Sequence, residues 1–570
     1  MRGLCRAASW TMAMMVLGLP CAAQVTAVGA YCRAVGAFDA GTIRVLVHNE
    51  GTQEAGVKTV RLNGRDLEAL PNECAEWWSL RPARLPAGGY GVLSVRLSAA
   101  QAEVSVAAET DTGQTVGPLV CRRNSAPPCD LLGVRFGPRL ESCYVYVRNR
   151  GTDLLTIDRV QVNGSERHGG LGGAAIVPPR GGVTCLAVPL LDGPPPGSDM
   201  LATVGLSSGE QVFAHVRAFR SVPIQAWQDA DQRPEMRFDT QPLVLPAPTP
   251  GATPTAIREA SLLAGYMLVD DAATADYQTG FLGAHAQLAA ERSDLCRALD
   301  PTRRTLLLIT QYCRELAYLC YASIPDLLIV SPYQMLYQPG SPPQANEYLF
   351  GMAREAAAPR PFGVVLEAFR VAYSQKTPQA PERERWITPP EYELNAAYAM
   401  GAGASGYFVF PREGPRGYDG NERLRDAIAR TNARLQYLKP LLSLAVPSPI
   451  ASTAEPNVAC RALLVGDKAV LLLVINQDIA RPESIWAEPI AKPHDSFVVN
   501  VEAPEWLRLD SATDLGEPGG PMAVRSGADG LALDVDRLET QRMILIHPGA
   551  VSADALVQSL SDEATSTATP

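Results

Sequence analysis

The chain has 570 residues, with 50 Lys and Arg against 60 Asp and Glu and a formal net charge of −10. A hydrophobic share of 46% and a charged share of 19% exclude wholesale disorder, and the acidic balance excludes a partner held by phosphate neutralisation, so no nucleic acid is expected. At roughly 100–200 residues per domain the length implies about three to five domains, and 47 Gly with 47 Pro imply many turns, as in β-sandwiches.

The start reads as a targeting segment. Arg2 and Arg6 precede an apolar stretch over 7–20, and Cys21-Ala22-Ala23 supplies a small-residue cleavage site. The expectation is a signal peptide over 1–23 and a secreted, periplasmic or cell-surface protein, with an uncleaved anchor as the alternative. The most apolar later run, 470–475, is far too short to span a bilayer. Export permits disulfides, so some pairing is expected among Cys32, Cys74, Cys121, Cys129, Cys143 and Cys185, with the connectivity open. Cys296, Cys313 and Cys320 read as buried apolar thiols. With six His and no CxxC pair among the mature cysteines, no metal site and no cofactor are implied.

The next 200 residues contain a duplication. VLVHNEGT at 45–52 matches VYVRNRGT at 145–152, and VRLNG at 60–64 matches VQVNG at 160–164. LPAGG at 85–89 corresponds to VPPRGG at 177–182. Alternating Val-x-Val places apolar side chains on one face of a strand, and Asn-Gly supplies the positive φ that a tight turn requires. Two tandem β-sandwich modules are expected, over 24–125 and 126–221. The pattern resembles the bacterial immunoglobulin-like modules called CARDB-like, which implies spacers or contact surfaces.

From about 260 the texture changes to short apolar runs separated by helical stretches. Strands are expected at 263–269, 305–309, 326–330, 362–366 and 407–410, and helices near 284–299, 314–322, 345–357, 390–400 and 423–442. Continuous apolar strands alternating with helices imply a parallel sheet covered on its faces, here a TIM-like barrel over 222–445. Earlier strand-like pieces are confined to 222–227 and 242–245. The barrel is therefore either irregular at its start or incomplete.

Four segments of this region resemble bacterial glycoside-hydrolase-like barrels. AGYMLVDDAATAD (264–276) is similar to their GW-x-x-x-DEP strand, and LCRALDPTRRTLLLI (295–309) to LR-x-x-DP-x-RP. PDLLIVSPYQM (325–335) is similar to D-x-x-x-x-DPYP, and ELNAAYAMGAGASGYFVF (393–410) to A-x-x-x-GA-x-G-x-x-YF. The resemblance implies Asp271 as acid/base at the fourth strand end and Glu367 as nucleophile at the seventh. Asp270, Tyr333 and Arg412 would line the same mouth, and the partner would be a glycan. Asp271 is one methylene shorter than the Glu of that motif, and Ser331 stands where the motif has Asp. Glycoside hydrolysis uses one carboxyl that donates a proton and another that attacks or activates water. The reading is thus an exported protein acting on a glycan through a carboxylate pair. The alternative is a catalytically inactive cell-surface protein with a degenerate barrel that binds glycan or protein. As the bland alternative for single residues, Asp270 or Asp271 caps the next helix and Glu367 makes a structural ion pair. A C-terminal β-sandwich is expected over 446–549, with a hairpin at Gly466-Asp467, and a mobile tail over 550–570.

Overall fold

A computed structural model describes residues 24–565 apart from 35–40, 68–75, 98–101, 123–126, 169–171, 191–192, 220–264, most of 270–284, 311–314, 333–343, 374–382, 411–416, 481–489, 517–518 and 528–529. The fold is mainly β-structure. One sheet is parallel, and the larger sheets before and after it in the chain are antiparallel. No helix among the described residues is long and apolar enough to cross a membrane.

The two copies of the duplicated sequence build the same unit. In the first, Val25–Ala34, Gly41–Asn49, Tyr90–Leu97 and Trp78–Arg81 form one sheet. A second sheet is built around Ala55–Leu62, Glu103–Thr110 and Thr115–Arg122. Val45, Val47, Val60 and Val104 meet between them. In the second copy, Cys129–Phe136, Ser142–Asn149 and Val183–Pro189 face Leu155–Val162, Asp199–Leu206 and Gln211–Arg217, with Val145, Val147, Val160 and Val204 inside. The Asn-Gly pairs adopt the left-handed backbone that the turn needs: φ is 50° and 81° at Asn63-Gly64, and 44° and 82° at Asn163-Gly164.

A buried asparagine latches each copy. The Asn149 amide donates to the carbonyls of Asp153 (2.8 Å) and Val177 (3.0 Å), and its oxygen accepts from the Gly151 N–H at 2.8 Å. Asn49 makes the corresponding bonds to Gln53, Leu85 and Gly51. The same device recurs unannounced in the last domain, where Asn476 donates to the carbonyls of Lys492 and Glu539 and accepts from Asp478. Replacing Asn149 by Ala strands two carbonyls and one N–H in the interior. We expect a loss of about 2–3 kcal/mol in denaturant unfolding, and an unchanged midpoint would show that the latch is idle.

Of the six cysteines expected to include some pairing, Cys121, Cys129, Cys143 and Cys185 are buried free thiols, and Cys74, like Cys313 further on, lies outside the described residues. The strand pleat explains part of this: Cys143 faces the core of the second module, whereas Cys185, on the neighbouring strand, faces the opposite side. Cys296 and Cys320 are buried, as an apolar thiol should be.

The parallel sheet contains β1 (Gly265–Met267), β2 (Arg304–Thr310), β3 (Leu327–Ser331), β4 (Phe362–Glu367) and β5 (Gly406–Phe410), hydrogen-bonded in that order. An unbroken order means that every crossover steps the same way, so the sheet curls rather than reversing at a switch point. Its connections carry α1 (Ala286–Leu299), α2 (Glu315–Ala322), α3 (Ala345–Ala357) and α4 (Pro389–Gly401), and α5 (Glu422–Leu444) follows β5. The start of α4 is fixed by a capping box between Thr388 and Glu391, with Glu391 also paired to Arg385 at 2.7 and 2.9 Å. Residues that would add strands before β1 and close a barrel fall in 220–264, outside the described residues.

The C-terminal sheets centre on Val458–Val465, Ala469–Asn476 and Gln541–His547 in one layer and His494–Val501 with Gly530–Leu538 in the other. Their core is continuous with that of the helices and the parallel sheet. Beyond Gly549 the chain forms α6 (Ala553–Thr565) where the sequence suggests a mobile tail. Leu556, Val557 and Leu560 are buried, and the Tyr437 hydroxyl of α5 donates to Asp554 at 2.7 Å. Three apolar side chains spaced on one helical face suffice to dock it.

Candidate active site at the strand C-termini

The pleat assigns each strand residue to a face. Leu306, Leu308, Leu327, Ile329, Val365 and Phe408 form a separate cluster on the inner, concave-side face. Leu307, Ile309, Leu328, Val330, Val364 and Leu366 join the larger core on the helix side. Continuing the alternation puts Thr310, Ser331 and Glu367 on the inner face at the C-terminal ends of β2, β3 and β4. All three are buried, with Ser331 and Glu367 at 0% exposure. The register pairs Thr310 with Ser331 and Glu367 with Phe410. Past Glu367, the Ala368 N–H donates to the Phe410 carbonyl at 2.9 Å, and Phe369 meets the Phe410 ring edge-on. A hairpin of Arg370–Tyr373 with Arg383–Trp386 rises from this same end.

Glu367 is therefore where the sequence places it, at a strand C-terminus. Asp270, Asp271, Tyr333 and Arg412 lie outside the described residues, so their positions relative to Glu367 are not defined. Nearby in sequence, Asp276 is buried and accepts from the Tyr321 hydroxyl of α2 at 2.7 Å. Sequence reading did not single it out, and nothing local distinguishes it from a loop aspartate.

Two further buried carboxylates, Asp300 and Asp326, sit at the opposite, N-terminal end of the sheet. Asp300, in the α1–β2 turn, accepts from the Tyr266 hydroxyl at 2.9 Å and from the Thr302 hydroxyl at 2.6 Å. Asp326, just before β3, accepts from the Thr305 N–H at 2.9 Å and from Arg217 of the second module at 2.7 Å. Burial pushes the Asp326 carboxyl up, but Arg297, Arg217 and the Thr305 N–H outweigh it and hold its pKa at about 2. Both aspartates belong to segments that carry the glycoside-hydrolase resemblance, and both serve as turn anchors. In a closed (β/α) barrel the N-terminal end stabilises and the C-terminal end does chemistry.

No family model matches the chain, and no curated protein matches it. Among solved structures it is similar to a cycloisomaltooligosaccharide glucanotransferase of Paenibacillus sp., complexed with cycloisomaltoheptaose. That match has 8% identity and a TM-score of 0.38 over 73% of this chain and 99% of that one. It is similar to a GH2 β-galacturonidase from Eisenbergiella tayi at 12% identity and a TM-score of 0.22, covering 70% and 90%. A glycoside hydrolase family 5 protein from Bacteroides vulgatus gives 10% identity and a TM-score of 0.29, covering 53% and 65%.

Two large cavities lie away from these strand ends. One of about 940 Å³ runs between the second module and the C-terminal sandwich, beside Pro178 and Trp506. The other, about 580 Å³, is bordered by Arg148, Arg354 and Arg461. Glu367 lines neither. Among the described residues no cluster of three or more His, Cys, Asp or Glu is arranged to hold a metal ion.

Proposed function

We propose that this protein is an exported, glycoside-hydrolase-like enzyme that acts on a glycan, with Glu367 as the nucleophilic carboxylate and Asp271 as its acid/base partner. In this reading 220–264 supplies the first strands of a TIM-type barrel, β1 to β5 are its last five, and Asp270, Tyr333 and Arg412 border the mouth. The observation that carries the reading is the position of Glu367. It is a fully buried carboxylate on the inner face, at the C-terminal end of the penultimate strand of an unbroken parallel series. Strand C-termini are where closed (β/α) barrels gather their reacting groups.

The test is a panel of polysaccharides and aryl glycosides incubated with the mature chain, scoring released sugar and, separately, retention on immobilised polysaccharide. Release from at least one glycan is the expected result. Retention without release moves the protein to the non-catalytic, glycan-binding class, and the absence of both release and retention on a broad panel removes the glycan reading.

A further inference from the structure

The end of the parallel sheet opposite Glu367 is covered by the two N-terminal modules. The Val134 N–H and the Arg135 guanidinium both donate to the Pro359 carbonyl just before β4, at 3.0 and 2.9 Å. Within this junction lies a crevice of about 50 Å³, room for about three or four waters. Among the described residues, Arg44, Arg81, Arg96, Arg217, Arg297 and Arg360 line it against one carboxylate, Asp326.

The hydrogen bonds do not balance that charge. Arg217 and Arg297 share Asp326, at 2.7 and 3.1 Å. Arg81 reaches Asp294 at the rim, at 2.9 Å. Arg44 donates to the Tyr31 hydroxyl and to the carbonyls of Phe213 and Ala358. Arg360 donates to the carbonyls of Ala322, Ser323 and Pro325, closing the C-terminus of α2. Arg96 is 7% exposed and donates one Nη1–H to the Thr42 hydroxyl, while its Nε has no hydrogen-bond partner among the described residues. The Nε atoms of Arg81 and Arg297 and the Ser323 hydroxyl are likewise buried without a partner. Burial, and then repulsion from neighbouring guanidinium groups, lowers the Arg96 and Arg360 pKa values to about 9. A guanidinium stays charged in a protein and cannot relieve the repulsion by shedding its proton. Buried charge without a counter-charge is strongly unfavourable.

We propose that this crevice binds a small tetrahedral oxyanion, inorganic phosphate or sulfate, clamped between the N-terminal modules and the base of the parallel sheet. Guanidinium groups brought together from three parts of the chain suit such an anion better than a spherical halide, because they bind oxyanions through paired bonds. The site is independent of the glycan reading, since it lies at the other end of the sheet.

The experiment titrates sodium phosphate into the full mature chain by calorimetry at fixed ionic strength, with sulfate and chloride as competitors. One saturable site is expected, together with a rise in melting temperature. Whichever oxyanion displaces the other at lower concentration is the preferred one. Arg96→Gln should weaken binding at least about tenfold yet melt no lower than wild type in anion-free buffer, because it removes a repelling charge. No saturable binding by the wild type up to about 10 mM, or chloride competing as well as sulfate, would overturn the site. So would unchanged affinity in both Arg96→Gln and Arg81→Gln. The wild-type titration decides the question even if a variant fails to fold.

Discussion

Glu367→Gln is expected to lower sugar release by about 10² to 10⁴-fold on any glycan that the wild-type protein cleaves. The amide matches the carboxylate in shape, so packing on the inner face is kept while the charge and proton chemistry are lost. The outcome also depends on partner distance. A second carboxyl at about 5–5.5 Å allows Glu367 to form a glycosyl-enzyme intermediate, whereas about 6.5–9.5 Å leaves room for an attacking water. The control is the thermal melt of the variant, which should remain close to wild type. A variant with full activity would take Glu367 out of the chemistry. A variant that merely unfolds would instead support a structural ion pair at that position. Product stereochemistry, read by NMR on the wild-type reaction, separates the two carboxylate geometries.

Asp130→Asn is expected to destabilise the protein by roughly 3–5 kcal/mol. Asp130 is 2% exposed at the start of the second module. It accepts from Arg148 at 3.1 and 2.9 Å and from Arg150 at 2.8 Å, and faces Arg33 of the first module at 3.7 Å. Arg148 then grips Glu355 of α3 with two bonds of 2.8 and 2.7 Å. Losing the Asp130 charge leaves Arg33, Arg148 and Arg150 around Glu355 as the remaining carboxylate of the cluster. Burial pushes the Glu355 carboxyl up, but its bonds and attraction to Arg148 dominate and bring it from its usual 4.5 to about 2. Asp130 is held even further below the usual carboxylate range by Arg148, Arg33 and Arg150, against its own burial. Both folded-state values lie below the unfolded ones. Their stabilisation is therefore complete above about pH 5 and is lost as pH falls through the carboxylate range towards 2. The gap between wild type and Asp130→Asn, followed by urea unfolding, should be widest near neutrality and shrink on acidification. A gap that is constant from pH 7 to pH 3 would refute the assignment.

What was legible in the sequence was local. The duplicated Val-x-Val-x-Asn strands and the Asn-Gly turns betray themselves because alternation and positive φ are properties of a few neighbouring residues. The five parallel strands are similarly visible as apolar runs, and the boundary at Glu367 follows from the run ending in a carboxylate. The crevice of arginines was not legible. Arg44, Arg96, Arg217 and Arg360 come from segments far apart in the chain, and each alone reads as an ordinary surface cation. The free state of Cys143 and Cys185 was not legible for a related reason, since export says that thiols can oxidise but not which face of a strand each one occupies. The Asn476 latch was missed because Asn-Gln-Asp lacks the glycine that marked its counterparts at Asn49 and Asn149.

The interlock of Arg33, Asp130, Arg148 and Glu355 draws on three segments whose ends are more than three hundred positions apart in the chain. The leading pair of modules is accordingly a foundation rather than a stalk. A shortened protein beginning at the parallel sheet would present Glu355 stripped of Arg33, Arg148 and Arg150 and Asp326 stripped of Arg217, so the two halves should melt as one cooperative unit and resist separation by limited proteolysis.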